Sequence, residues 1–375
     1  MKPFSCPVRK IHVVCQAIPG TRNFPPLRPY FPPRPKLALH RPRLRRLIFH
    51  LCSLTVLHSL VYAQSTDRAL IEGAKKEGRL VWYTSMAIDT SKPLLDGFLR
   101  EYPFIKADLV RAGEEQLTNR ILTETLAGKW YFDAIATTTV SELADRKIIA
   151  PYFAPERDAF HEQFKDPKGF WTGVYVNNLV LAYNTRMLAA KAAPKDYPDL
   201  LDPRWKGQML MDPTDYDWFG TLMTVWGREK TIQYMQRLAR QDPQWRRGHG
   251  LTAQLVGAGE TPLAWAYNFR IERMRREGAP VEWIETFDPI VVTISGIAVG
   301  AKAPNPNAAK LFINFVTSKK AQEMVREMRR IPARNDIKPF AANMDQSKLK
   351  LKPVPKEVYS NMDEYAREFR KIFGL

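Results

Sequence analysis

The sequence predicts an α/β protein of two lobes joined by a hinge. Three observations point there. Short apolar strands alternate with amphipathic helices, the pattern of parallel sheets covered by helices. The pattern occurs in two separate blocks. Two long extended stretches, Trp171 to Tyr183 and Ile290 to Gly300, run between them as crossings. With 375 residues, 45% of them hydrophobic, the chain can supply a core to each lobe.

The first block opens with a helix from Thr66, whose face carries Ala69, Leu70 and Ala74 and which Gly78 ends. Leu80 to Tyr83 reads as a strand. Pro93 suits the first turn of a helix bearing Leu94, Leu95, Phe98 and Leu99. Ile105, Ala107 and Leu109 alternate as a half-buried strand. Leu117, Ile121, Leu122 and Leu126 recur at helical spacing, and Phe132 to Ala136 is again a strand. The second block runs from a strand at Gln208 to Met211 through helices at 221–226, 229–239 and 252–258. A strand at Leu263 to Ala266 and a basic helix at Ile271 to Arg276 complete it. After the second crossing come helices at 307–316 and 319–328.

The formal charge of +18 is unevenly spread. Residues 1–63 hold eleven Lys/Arg and no Asp or Glu. The remaining 46 basic residues face 39 acidic ones, a net charge of +7 with both signs interleaved. That is a solvated surface, and no nucleic-acid partner is expected. Residues 1–43 are Pro- and Arg-rich without period. Arg41 to Arg46 then forms a positive segment, Leu47 to Val61 an apolar run, and Val61-Tyr62-Ala63 a small-x-small cleavage site. This order predicts a secretory signal peptide cut after Ala63, hence a periplasmic protein. All three cysteines lie in that leader, so neither disulfide nor thiol chemistry is expected of the mature chain.

In open α/β sheets, ligands sit at the carboxyl ends of strands, beside helix N-termini. Five loops qualify. They contain Thr84 and Ser85; Thr137 and Thr138; Asp215, Tyr216 and Trp218; Arg247 and His249; and Tyr267 and Arg270. Hydroxyls, aromatic rings and arginines suit a small anionic solute, and Arg can grip a carboxylate or phosphate with two parallel bonds. Tyr216, Trp218 and Phe219 are expected to stack on its apolar part. Phosphate-loop, zinc-protease and nucleophile-elbow motifs are lacking, and His249 has no nucleophile to activate. No enzyme activity, cofactor or resident metal is expected.

Several segments together resemble the extracellular solute-binding proteins of the ferric-ion-transport type. They are Ile71 to Gly78 with Val81 to Ser85, Trp171 to Asn178, Leu201 to Gly207, Gly296 to Val299 and Pro304 to Lys310. The resemblance implies a type II periplasmic-binding-protein fold, each lobe a mostly parallel sheet flanked by helices. It also implies a monomer that delivers its solute to the membrane subunits of an ABC permease. The expected lobes are 64–178 with 289–335, and 179–288 with 336–375. Relatives that chelate Fe³⁺ place a His after the first strand, a Glu in the second loop and a Tyr-Tyr pair in the second lobe. Here those places hold Ser85-Met86-Ala87, Thr138 and Phe269-Arg270. A guanidinium repels a cation, so a small organic or phosphorylated anion is the expected solute. Iron bound through an anion, a secreted hydrolase and a receptor-docking sensor are the alternatives.

Overall fold

The computed structural model describes residues 68–375. The leader, its cleavage site and the start of the first helix lie outside the described residues. One continuous sheet organises the chain, with strand order β2-β1-β3-β10-β5-β8-β6-β7. The first half holds α1 (68–77), β1 (Arg79–Thr84), α2 (Ile88–Glu101), β2 (Lys106–Arg111), α3 (Glu114–Leu126), β3 (Ala134–Thr137) and α4 (Val140–Asp145). Here β1 pairs in parallel with β2 and β3. The second half holds β6 (Met209–Met211), α5 (Tyr216–Trp226), α6 (Arg228–Ala239), β7 (Gln244–Trp245), α7 (His249–Ala258), β8 (Leu263–Tyr267) and α8 (Asn268–Arg276). Its β6 is parallel to β7 and β8.

The halves meet at β5 (Thr172–Asn184) and β10 (Ile290–Gly300), an antiparallel pair at the centre of the sheet. All thirteen residues of β5 are buried. A strand covered on both faces reads as an uninterrupted apolar run, which is why both crossings were visible in the sequence.

Each half has its own core. In the first, Phe312 of α9 (Pro306–Thr317) packs edge-on against Trp82 and Phe98, with centroids at 4.8 and 5.0 Å. In the second, Tyr197 stacks on Trp265 and Trp218, and Trp218 Nε1 donates to its hydroxyl at 3.3 Å. Two carboxylates tie the first half together. Asp133 accepts from Val81 N and Asn305 N, each at 2.7 Å. Glu77 accepts from Asn307 N and Ala308 N, meeting the positive end of α9.

Two expectations need correction. Helix α2 starts at Ile88, so Pro93 sits inside it and not in the first turn. The residues after 335 also form elements, where the sequence reading places only a C-terminal tail. These are β12 (Leu351–Pro353), α11 (Lys356–Ser360) and α12 (Met362–Phe373). The amphipathic α12 packs on α5 and α6, burying Phe369 completely.

Candidate functional site

The carboxyl ends of β1, β3, β6 and β8 are where the loops of the two halves converge. From the second half, the loop after β6 supplies Asp212, whose Oδ1 accepts from Thr214 N at 2.9 Å. Its Oδ2 accepts from Gly248 N at 2.5 Å, and Gly248 takes φ +102°, where a side chain would strain the turn. That turn starts α7 and places His249 Nε2 2.9 Å from Asp215 Oδ1. The His249 ring lies 4.4 Å from that of Tyr267, which stacks at 6.1 Å on Phe269. Burial alone would lower the His249 pKa, but Asp215, then Asp212 and Asp217, outweigh it, and the net shift is upward. Burial, then the Asp215 charge, pushes Asp217 up to about 6.

Beyond Phe269 the charge changes sign. Arg270 lies against Gly250, its guanidinium carbon 3.6 Å from where a Cβ would stand, and its Nε has no hydrogen-bond partner. Arg330 covers the ring of Phe269 at 4.2 Å and that of Tyr175 at 4.5 Å. It is 7% exposed. Its Nε donates to Thr90 Oγ1 in the first turn of α2 and its Nη1 to Asn177 Oδ1, both at 3.3 Å. Neither arginine has an ion-pair partner among the described residues. Burial, then the Arg330 charge, depresses the pKa of Arg270. Two cations, one of them buried, lie beside the positive end of α2, with Asp89 in the same turn as the one nearby carboxylate acting on Arg270, so the corner carries a net positive charge.

The residues expected from the sequence divide sharply. Asp215, His249, Tyr267 and Arg270 come together. Trp218 and Phe219 are core residues, 1% and 0% exposed, because α5 turns its apolar face onto the sheet. Tyr216 faces the other way; its hydroxyl accepts from Arg370 Nε at 3.1 Å and its ring meets Phe369. None of these three is free to stack on a solute. Arg247 is solvent-exposed. Thr84 is fully buried, its hydroxyl donating to Ala136 O and accepting from Met86 N, both at 3.0 Å. Ser85, half-buried, donates its N–H to Ala136 O at 3.0 Å. The hydroxyl of Thr137 and the N–H of Thr138 both donate to Glu114. Glu114, from the start of α3, thus holds this turn by its carboxylate. Arg330 and Asn177, whose Nδ2 donates to Thr293 Oγ1 at 3.3 Å, were also missed, since nothing near them in sequence marks a loop at a strand end.

A sequence profile for the bacterial extracellular solute-binding proteins matches residues 106–355. The chain belongs to this family. Curated relatives agree with that membership. An uncharacterized Haemophilus influenzae protein is 26% identical over 294 residues, 74% of this chain and 82% of its own length. A Serratia marcescens protein named as Fe(3+)-binding and periplasmic is 24% identical over 266 residues, covering 68% and 78%. Among solved structures, the iron-bound HitA of Pseudomonas aeruginosa superposes with TM-score 0.71 at 21% identity, covering 79% of this chain and 99% of that one. The periplasmic binding protein AfuA of Actinobacillus pleuropneumoniae, with fructose-6-phosphate bound, gives TM-score 0.67 at 25% identity, covering 78% and 97%. The family's two-lobed periplasmic-binding fold is the fold of this chain.

Proposed function

We propose that this chain is the solute-capturing component of an ABC importer, working in the periplasm as a monomer and carrying out no catalysis. Its solute is a small organic or phosphorylated anion held between the lobes. The observation that carries the reading is the pairing of Arg270 with the buried Arg330 at the start of α2, where Asp89 is the nearby carboxylate and forms no direct ion pair with either among the described residues. Charge-assisted bonds of ~1.5–3 kcal/mol each from two guanidiniums give micromolar binding, about −8 kcal/mol. One lobe is 64–178 with 289–335, the other 179–288 with 336–375. Ligand bridges them and shifts an open–closed equilibrium hinged on β5 and β10.

Iron is the second reading, and the name of the Serratia marcescens relative and the iron-bound state of the Pseudomonas aeruginosa structure favour it. In this chain Arg270 would meet the anion of a ferric complex and not the metal itself. Titrating the mature chain calorimetrically with fructose-6-phosphate, inorganic phosphate, citrate, ferric citrate and free ferric ion separates the readings. Heat from the anions without iron supports the first. Heat only from iron-containing samples supports the second.

A further inference from the structure

After β11 (Ile331–Pro332) the chain returns to the cleft through a segment that contributes none of the five loops. β12 adds to β10 at Ile290–Val292, and Val354 N donates to Val292 O at 2.9 Å. Helix α11 then lies between α4 of the first half and α5 of the second. On the second-half side the attachment is extensive. Val358 packs so closely on Gly220 that a Cβ there would stand 2.7 Å from its Cγ1. Phe369 and its aromatic neighbours seal α12 onto α5, and Arg228 pairs with Glu364 and Glu368. On the first-half side, one ion pair is recorded for α11, between Lys356 and Asp145 at the end of α4. Its partners are 57% and 41% exposed.

The two attachments differ in kind. Buried aromatic packing holds in every state of the protein, whereas an exposed ion pair is weak, reversible and screened by salt. When the lobes part, α11 must therefore travel with the second half and release Asp145. We propose that α11 is a strap across one end of the cleft. Lys356–Asp145 is its catch.

Small-angle scattering of the ligand-free mature chain tests the catch. Lys356→Glu should increase the radius of gyration at unchanged melting temperature, and adding Asp145→Lys should restore the wild-type value. Wild-type scattering from Lys356→Glu, or no rescue by the charge swap, overturns the catch.

Discussion

Two corners of the same cleft treat their polar groups in opposite ways. At the turn after β3, the Thr137 hydroxyl and the N–H groups of Thr138 and Thr139 all converge on Glu114. At the corner after β8, Arg270 Nε and both amide atoms of the fully buried Asn268 have no protein partner. Donors and acceptors already matched by the protein build a turn, as Ser and Thr do at helix starts throughout proteins. Groups left unmatched in a buried place cost stability unless something else meets them. The first corner is architecture, and the second is where the proposed solute would meet groups that the protein leaves unmatched.

That division predicts effects on stability in one set of residues and on binding in another. The largest effect belongs to the core: Trp218→Ala should cost about 3–5 kcal/mol of folding free energy, read by denaturant unfolding. If Trp218 stacks on solute instead, affinity will fall while the unfolding midpoint stays put. Asp133→Ala strands the N–H groups of Val81 and Asn305 and should cost about 1–3 kcal/mol, again without touching affinity in the folded fraction. Arg330→Met keeps the packing on Phe269 but removes the charge. It should weaken anion binding by about 1.5–3 kcal/mol and leave the melting temperature equal or higher, because a buried unpaired cation is gone. A lower melting temperature would instead make Arg330 a structural residue.

A smaller effect concerns pH. The pKa of Asp217 rises from 3.8 to about 6 on folding. Between those values the folded chain holds a proton that the unfolded chain releases. Its contribution is complete below pH 3.8 and lost as pH rises through about 6. His249, raised above 6.5, acts with the same sign at higher pH: its contribution is complete below 6.5 and lost as pH climbs past the raised value. Melting temperature measured against pH should show the acid limb flatten in Asp217→Asn while the upper limb persists. The smallest effect is at the exposed Arg247, where alanine should change neither affinity nor stability; a tenfold loss of affinity would return it to the site.

Fold was more legible than site, for a physical reason. Strands buried on both faces write their burial directly into local sequence, so β5 and β10 could be placed within a residue of their ends, while in α3 Leu117 and Ile121 are buried but Leu126 is exposed. The strand-end rule also picked out Asp215, His249, Tyr267 and Arg270, which the structure brings together. It could not tell which face of α5 Trp218 would take, since an aromatic in a loop-to-helix turn serves core or ligand equally well. It missed Arg330 because this residue reaches the cleft from β11, a two-residue strand pairing late in the chain with β5. It missed Glu114 because the carboxylate arrives across the sheet from 23 residues before Thr137. The C-terminal strap was illegible for the same reason: its meaning lies in what it touches.

The most direct test compares Arg270→Ala with the wild type in titrations with inorganic phosphate, fructose-6-phosphate and citrate on the same day and in the same low-salt buffer. The account predicts that an anion bound by the wild type binds tenfold or more weakly to the variant, with no loss of thermal stability. Stoichiometric uptake of free ferric ion by both proteins, with no heat from the phosphate in either, would contradict it.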